Sequence, residues 1–243
     1  MKSIAIIIPF FNEAERFTVE EYETSFAPYS ELTFLLVNDG SSDGTGHLLN
    51  KLALKLSNVQ VLHLEKNQGK AEAVRKGSLK LLDQGKFEFI GYFDADLATP
   101  LSQLTLFREA MQNPGNQLWF GSRIKRAGAE ILRNPTRHYS GRVIATIVNI
   151  FILKIPIYDT QCGAKILTRK IASEVFENPF ISRWFFDIEI VARLQQVYSR
   201  QELKKMIFEI PLTKWTEKGS TKIRVKDILL IPLHLIKIRM KYS

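Results

Sequence analysis

Short apolar runs alternate with segments of helical periodicity through the first half of the 243-residue chain, and this alternation constrains the fold most. The apolar runs, which have the length and composition of strands, cover residues 3–10, 32–40, 59–64, 87–96 and 117–122. The segments whose apolar residues recur about every 3.6 positions cover residues 45–57, 69–84 and 100–112. Strands that alternate with helices predict an α/β fold in which helices flank a mainly parallel central sheet. Ligands of such sheets bind beyond the carboxyl ends of the strands.

The second half has longer apolar segments, which predict helices at residues 138–154 and 181–197 and a strand at 205–215. Its tail is apolar and basic, and we expect a C-terminal amphipathic helix over about residues 224–243. No Gly/Ser-rich linker separates the two halves, and the length is sufficient for one large hydrophobic core. We therefore predict a single domain over residues 1–243.

The formal net charge of +9 indicates an acidic partner: nucleic acid, an anionic membrane surface or a phosphate-bearing substrate. Cys162 is the single cysteine, so no disulfide can form within the chain, as is typical of a reducing cytoplasm. The four scattered histidines do not have the spacing of a zinc finger. The first apolar run is too short for a signal peptide, and no segment reaches the roughly 20 apolar residues that span a bilayer.

Two acidic residues, Asp94 and Asp96, end the apolar run that we predict as the fourth strand. Carboxylates two positions apart point the same way on a strand, so at its end they converge and repel each other unless a cation lies between them. Magnesium commonly takes one or two carboxylates together with substrate phosphates. The pair therefore indicates a Mg²⁺ or Mn²⁺ site for a diphosphate. The alternative is a solvated turn that caps the helix beginning near Pro100.

Two further polar clusters fall at the ends of predicted strands. Asp39 and Gly40 precede two serines and Asp43, which predicts ordinary turn and capping chemistry or a pocket in which Asp39 binds a nucleoside. Gly69 and Lys70 open a helix, where free N–H groups and a lysine favour an anion; the alternative is a glycine turn with a solvent-facing lysine. The sequence has neither a Walker loop nor a G-x-G-x-x-G motif at these positions.

These clusters belong to a series of motifs that resembles one family. In chain order the motifs are IIIPFFNEAERF, VNDGSSDGT, NQGKAEAVRKG, YFDADLATP, FGSR and DTQCGAKILTR. The series resembles the inverting family 2 glycosyltransferases of GT-A fold, and most of all their dolichyl- and polyprenyl-phosphate glucosyl- and mannosyltransferases. The resemblance extends to about residue 224. It departs from the family pattern at Asn38, where an acid is usual, and at Ala164, where an aromatic residue is usual.

The resemblance implies a nucleotide-sugar donor, a Mg²⁺ or Mn²⁺ ion and a polyprenyl phosphate acceptor. UDP-glucose is the favoured donor because the glucosyl branch carries the DTQCG motif, and GDP-mannose is the alternative. By this resemblance the metal ligands are Asp94 and Asp96, and the catalytic residues are Asp96, Arg123 and Asp187. The implied donor-binding residues are Pro9, Asn12, Glu13, Asp39, Gly69, Lys70, Asp94, Ala95, Asp96, Ser220 and Lys222. The implied acceptor-phosphate residues are Arg123, Arg137, Arg142 and Gln161.

In an inverting reaction of this kind, one displacement at the anomeric carbon releases a nucleoside diphosphate whose negative charge grows as the bond breaks. The metal ion, Arg123 and Lys222 would stabilise that charge. A phosphate acceptor does not need a carboxylate base, because its second pKa is about 6. Asp187 lies among aromatic residues and is either the base for a hydroxyl acceptor or an orienting residue for Arg183 or Lys222.

A polyprenyl acceptor requires access to a membrane surface, and two apolar segments are candidates for that contact. For residues 143–153 the sequence favours burial in the core over an interfacial position. The tail suits a packed helix with a solvated basic end or an interfacial helix with Lys237, Arg239 and Lys241 near anionic head groups. We expect a cytoplasmic protein that is peripheral on the inner face of the cytoplasmic membrane.

Two other functions are open to the same sequence. A soluble family 2 transferase that acts on a sugar hydroxyl in polysaccharide synthesis would carry the same donor motifs. A nucleic-acid-binding module would suit the basic charge, but the chain has no recognisable binding motif, and that role leaves Asp94 and Asp96 unexplained. We therefore expect no nucleic-acid partner.

Overall fold

The structure is a computed structural model that describes residues 3–218 and 230–242, without the side chains of residues 136–138 and 140. Its strands are β1 (Ile4–Phe10), β2 (Thr33–Asp39), β3 (Val59–Leu64), β4 (Phe89–Phe93), β5 (Leu118–Ser122), β6 (Glu130–Leu132), β7 (Ala164–Thr168), β8 (Ile207–Pro211) and β9 (Lys214–Thr216). Its α-helices are α1 (Val19–Phe26), α2 (Thr45–Lys55), α3 (Lys70–Asp83), α4 (Leu104–Ala110), α5 (Pro135–Val148), α6 (Arg169–Phe176), α7 (Phe186–Leu194), α8 (Arg200–Met206) and α9 (Ile231–Tyr242).

Two compact units make up the chain. The first unit is Met1–Leu97 with Gly163–Pro179, and the second is Ala98–Cys162 with Phe180–Ser243. The chain passes from the first unit to the second and back before it ends in the second, so neither unit is continuous in sequence. That the units act as a single domain stays a prediction.

The first unit is built on a sheet whose strands lie in the order β3-β2-β1-β4-β7. The pairs β2–β3, β1–β2 and β1–β4 are parallel, and β7 runs antiparallel to β4. Helix α3 packs against β1 and β2, and α6 packs against α3 and β4. Strand β4 is buried throughout, and β1 and β2 nearly so, which explains their continuous apolar sequences. The predicted α/β fold with a mainly parallel sheet is confirmed.

Helix α1 has no counterpart among the predicted elements. Its buried residues Val19, Tyr22 and Phe26 have helical spacing, but glutamates fill most of the intervening positions and obscure the pattern. The rings of Tyr22 and Phe26 join those of Phe10 and Phe17 in an aromatic cluster, in which Phe17 stacks on Tyr22 at a centroid distance of 4.4 Å. Helix α1 therefore packs an aromatic face against the end of β1.

The second unit contains two short parallel pairs, β5 with β8 and β6 with β9. The predicted strand at 205–215 is wrong in extent, because the chain there forms the end of α8, then β8 and then β9. Pro211 ends β8. In the turn that follows, the Gln103 side-chain oxygen accepts hydrogen bonds from the N–H groups of Thr213 (2.8 Å) and Lys214 (3.3 Å). This buried amide, about 110 positions away in the sequence, holds the break between the two strands.

The predicted helix at 138–154 is present as α5, which continues into a π-helical turn at Asn149–Leu153. The expectation that residues 143–153 lie in the core is wrong for one face of this segment. That face, which we call the α5 stripe, exposes the large apolar side chains Tyr139, Val143, Ile147, Ile150 and Phe151. The buried residues of the opposite face are Val148, Ile152 and Leu153.

Part of the tail forms a helix, α9, which buries Leu235 and Ile238. Residues 224–229 and 243 of the expected amphipathic helix lie outside the described part of the chain, so its full extent stays a prediction. The exposed residues of α9 include Leu233, Ile236, Met240, Lys237, Arg239 and Lys241. Helix α9 packs against α7 and the π-helical turn, and the Tyr242 hydroxyl donates to Glu189 Oε1 (2.8 Å). None of the helices within the described ranges is both long and apolar enough to cross a membrane.

Gly40 leaves β2 with φ of +62°, and a Cβ there would overlap the backbone of Lys66. We expect Gly40→Ala to lower the free energy of unfolding by more than about 2 kcal/mol, because left-handed strain of about 1–2 kcal/mol adds to a backbone clash. Gly85 is the matched control, since its φ is +75° but no atom of the described chain lies within 4 Å of an added Cβ. Urea denaturation measures both losses, and equal values would contradict the close approach at Gly40.

Candidate active site

Hydrogen bonds tie together the loops that leave β1 and β2 at the same edge of the parallel sheet. The Asn12 N–H donates to Ser41 Oγ (3.0 Å), and Asn12 Oδ1 accepts from the N–H of Ser42 (2.9 Å). The N–H of Glu13 donates to Thr45 Oγ1 (2.9 Å). Asn12 has φ of +48°, a conformation that asparagine adopts more readily than most residues. Asn12 and Glu13, both predicted to bind the donor, are thus held at the start of α2.

Asp39 anchors a third loop. It is 2% exposed, and its two carboxylate oxygens accept hydrogen bonds from the N–H groups of Gln68 (2.9 Å) and Gly69 (2.8 Å). Charge-assisted bonds of this kind offset the cost of burying a carboxylate. The turn before α3 is therefore fixed by Asp39, with Gly69 at φ +93° and Lys70 as the first helical residue. The contact of Asp39 with a nucleoside stays a prediction.

Asp94 follows β4 in a tightly held turn. Its N–H donates to the Gly163 carbonyl (2.9 Å), and its carbonyl accepts from the N–H of Leu97 (3.2 Å). Leu97 has φ of +51°, which is uncommon for a residue other than glycine. The Asp94 carboxylate forms an ion pair with the Lys70 ammonium, and a Cβ on Gly163 would overlap that carboxylate. The Asp94 side chain is thus confined between a lysine and a glycine.

Tyr22 of α1 contacts the same turn, although it is not among the predicted site residues. It is 4% exposed, and its hydroxyl donates to the Ala95 carbonyl. Burial raises the pKa of the Tyr22 phenol well above its usual value, and the negative charges of Asp96, Glu13 and Glu21 raise it further. The Asp96 carboxylate therefore lies close enough to the hydroxyl for its charge to act there.

Asp94 and Asp96 offer two half-exposed carboxylates to a cation. Within residues 3–218 and 230–242, no three or more histidine, cysteine, aspartate or glutamate side chains are grouped as metal ligands. Mg²⁺ needs fewer protein ligands than that, because phosphates and waters complete its shell. The Lys70 ammonium on Asp94 shows that this carboxylate already faces a cation. The two residues therefore fit a hard divalent ion that is also bound by phosphates.

In the second unit, Arg123 forms a bidentate ion pair with Asp159 of the DTQCG motif. Its Nε and a terminal nitrogen donate to the two carboxylate oxygens (2.7 and 2.8 Å), and its backbone N–H also donates to Oδ2 (3.1 Å). The guanidinium carbon lies 5.3 Å from the centre of the Trp215 ring. These contacts fix the plane of the guanidinium, so its orientation is set by Asp159 and Trp215.

Glu209 of β8 fixes the segment that carries Asp159. Its carboxylate accepts hydrogen bonds from the N–H groups of Tyr158 (2.7 Å) and Asp159 (2.8 Å). Arg142 of α5 donates to the Tyr158 carbonyl (2.5 Å) and lies over the Tyr158 ring at 3.8 Å. Two of the predicted acceptor-side arginines, Arg123 and Arg142, are thus bound to adjacent residues. Glu209 and Tyr158 are additions that no sequence motif indicates.

The charge of a third guanidinium, that of Arg133, interacts with that of Arg123. Burial lowers the pKa of Arg133, the positive charge of Arg123 lowers it further, and Asp159 and Glu217 act in the opposite sense. Like charges held together in a partly buried place favour the binding of an anion. Arg133 is not among the predicted residues, because it lies outside the motifs that carry the resemblance.

The remaining predicted residues take other positions. Pro9 in β1 and Gln161 are half-buried, and Asp187 is buried in the first turn of α7. The predicted groups that lie outside the described part of the chain are the Arg137 side chain, Ser220 and Lys222. The roles proposed for all of these residues stay predictions.

Comparison with known proteins identifies the family. The family model described as Glycosyl transferase family 2 matches residues 5–176, and the chain belongs to this family. A dolichyl-phosphate beta-glucosyltransferase of Trichomonas vaginalis is 30% identical over a 252-residue alignment that covers 97% of this chain and 70% of the relative. The dolichyl-phosphate beta-glucosyltransferase of Homo sapiens is 29% identical, with 99% of this chain and 76% of the relative covered.

Solved structures share the fold. Glucosyl-3-phosphoglycerate synthase from Mycobacterium tuberculosis, in complex with phosphoglyceric acid, has a TM-score of 0.67 and 16% identity, covering 98% of this chain and 80% of its own. The same enzyme in complex with Mn²⁺, UDP and glucosyl-3-phosphoglycerate has a TM-score of 0.65. Likeness at this identity shows the fold alone, and it confirms the expected GT-A architecture.

Asp43 joins the loops after β1 and β2, because its carboxylate accepts hydrogen bonds from the N–H groups of Thr45 (2.9 Å) and Ala14 (3.1 Å). Burial acts to raise its pKa, but the hydrogen bonds from Thr45 and Ala14 outweigh burial and lower the pKa below its ordinary value. A lowered pKa stabilises the fold above the ordinary aspartate value of about 4, and this stabilisation is lost as the pH falls through the folded-state pKa. We expect Asp43→Ala to cost at most about 1 kcal/mol at pH 7, because Asp43 is exposed and solvent screens its charge, and progressively less in acid.

Urea denaturation at neutral and acidic pH measures the two costs. Glu15→Ala, which removes an exposed carboxylate of the loop after β1, is the control and should change the free energy of unfolding by less than about 0.5 kcal/mol. A cost for Asp43→Ala that does not shrink on acidification would show that its carboxylate does not stabilise these loops.

Proposed function

We propose that the protein transfers glucose from UDP-glucose to a polyprenyl phosphate, with inversion at the anomeric carbon and with a divalent ion, Mg²⁺ or Mn²⁺. The observation that carries the proposal is the alignment of nearly the whole chain with proteins named dolichyl-phosphate beta-glucosyltransferases. The Arg123–Asp159 pair supports it, since this pair gives the DTQCG motif a direct part in orienting a phosphate-binding side chain.

On the donor side, Asp94 and Asp96 would hold the divalent ion, which supplies positive charge to the diphosphate as the glycosidic bond breaks. Lys70 at the start of α3 contributes a further positive charge beside Asp94. The loops anchored by Asp39 and Asn12 would form the nucleoside pocket. The hydrogen bonds of Asp39 and Asn12 fix these two loops before the substrate binds, so the pocket itself needs little reorganisation.

On the acceptor side, a phosphate oxygen attacks the anomeric carbon, the bond from that carbon to the diphosphate breaks, and the nucleoside diphosphate leaves with the bonding electrons. No proton has to move, because a phosphate monoester with a second pKa of about 6 is largely dianionic at neutral pH. The chain has to bind and orient these charges, a task suited to Arg123, Arg133 and Arg142. The burial of Asp187 within α7 favours an orienting role over that of a base.

The lipid acceptor would be met at a membrane surface. The α5 stripe and the exposed apolar residues of α9 both belong to the second unit, and exposed apolar patches of this kind are typical of membrane or protein contacts. Exposed basic side chains on α9 favour an anionic surface; they are Lys237, Arg239 and Lys241. These residues support our proposal that the protein binds a membrane peripherally, and we propose the cytoplasmic face of the cytoplasmic membrane as the surface.

A transfer assay with radiolabelled UDP-glucose, Mn²⁺ and undecaprenyl or dolichyl phosphate tests the reaction. We expect a lipid-linked β-glucosyl phosphate as the product. Asp96→Ala should lower the rate by at least about a hundredfold, because it removes electrostatic stabilisation of the leaving group. Asp83→Ala, which removes a carboxylate at the C-terminal end of α3, is the control and should retain activity.

The same assay with other donors and acceptors tests the competing functions. Faster transfer from GDP-mannose would change the donor, and transfer to a sugar but not to a polyprenyl phosphate would indicate polysaccharide synthesis. With a sugar hydroxyl as acceptor, Asp187→Asn should abolish transfer because a base is then needed. With a phosphate acceptor, a folded Asp187→Asn variant should keep most of its rate at neutral pH.

Flotation with lipid vesicles tests the membrane contact. We expect stronger binding to vesicles that contain anionic lipid, and weaker binding at high salt. The double variant Ile147→Ser, Phe151→Ser should weaken binding at least about tenfold, because burial of one large apolar side chain contributes about 1.5–3 kcal/mol. Leu54→Ser alters a more exposed leucine, on α2 of the first unit, and should have no effect. Unchanged binding by the double variant would exclude the α5 stripe from the contact.

A further inference from the structure

The turn that carries the two candidate metal ligands is held at its centre by a side chain from another element. Ala95 lies between Asp94 and Asp96, and the Tyr22 hydroxyl donates a hydrogen bond to the Ala95 carbonyl. Asp94 is held separately, because its N–H donates to the Gly163 carbonyl (2.9 Å). Tyr22 therefore contacts the peptide group that joins Ala95 to Asp96 and so links the two carboxylates.

We propose that Tyr22 is a positioning residue of the divalent-ion site, which fixes the peptide between Ala95 and Asp96 so that both carboxylates face one ion. This inference rests on the proposed function, in which Asp94 and Asp96 share that ion. Without the hydroxyl, the Ala95 carbonyl can bond to water instead, since Ala95 is half-exposed. The peptide can then rotate about its flanking bonds and turn Asp96 away from Asp94.

The Tyr22 side chain is itself fixed in place by aromatic packing. The ring centres of Phe17, Phe10 and Phe26 lie 4.4, 5.6 and 5.7 Å from that of Tyr22. Aromatic pairs in this distance range stabilise one another beyond simple burial. A donor held by three rings restricts its acceptor more closely than a mobile surface side chain would.

Tyr22 acts as a hydrogen-bond donor in this arrangement and not as an ion ligand. A tyrosine phenol has an ordinary pKa of about 10 and keeps its proton at neutral pH, and burial of Tyr22 raises the pKa further. Its hydrogen bond is directed to the Ala95 carbonyl, on the backbone that precedes Asp96. The effect of Tyr22 on the ion is therefore exerted through the backbone.

The variant Tyr22→Phe tests the inference, because it removes the hydroxyl and keeps the ring. In the protein without added metal ions, we expect faster amide hydrogen exchange at residues 95–97, which reports loosening of the turn. With UDP present, titration of Mn²⁺ followed by electron paramagnetic resonance should show an affinity lower by about three- to tenfold, the factor that one net hydrogen bond contributes. The rate at saturating Mn²⁺ should fall by much less than the Mn²⁺ affinity.

Two other variants serve as controls. Phe17→Leu weakens the packing around Tyr22 but keeps the hydroxyl, so it should lower the melting temperature and reduce the Mn²⁺ affinity by less than Tyr22→Phe does. Asp96→Ala should lose Mn²⁺ binding. If Tyr22→Phe keeps the wild-type exchange rates and Mn²⁺ affinity while Asp96→Ala loses binding, the inference is overturned and the proposed function stands. Equal Mn²⁺ binding by the wild type and Asp96→Ala would overturn both.

Discussion

Parallel pairing of β1 with both β2 and β4 is the constraint on which the donor side depends. Strands that run parallel end at the same edge, so loops from three distant parts of the sequence meet there. The register places Ile7 opposite both Leu35 and Tyr92. A slip of two residues along β4 would move Asp94 by about 7 Å and separate it from Lys70. The geometry of the turn after β4 therefore depends on pairings formed within the buried sheet.

Acidic side chains have two different uses around that edge. Asp39 and Asp43 accept hydrogen bonds from backbone N–H groups, and their charge stabilises the shape of the loops. Asp94 instead pairs with the ammonium of Lys70, a partner that a metal ion can replace without breaking a backbone contact. In the second unit, Glu209 likewise accepts hydrogen bonds from backbone N–H groups. It thereby holds the segment that carries Asp159, the ion-pair partner of Arg123.

Local patterns predict strands β1 to β5 well, but they miss the buried strand β7 and the short or mixed elements. The predicted strand at 59–64 coincides with β3, because an apolar run bounded by polar residues can be recognised from the sequence alone. The predicted helix at 181–197 contains α7, although the helix occupies only its central part. Helix α8 is not among the predicted elements, although Ser199 and Glu202 have the spacing of a capping box, which indicates the start of a helix. Strand β6 spans three residues, too few for a period to show.

The fold class, the family and the two acids that follow β4 could be predicted from the sequence alone, because periodicity and ordered motifs are local properties of the chain. The tertiary structure decided which acids anchor loops, that the charges of Arg133 and Arg123 interact, and that α5 exposes an apolar stripe. It also decided that Tyr22 bonds to Ala95, 73 positions away. Contacts over such separations follow from strand pairing and helix packing, which fix the positions of side chains that no local pattern connects.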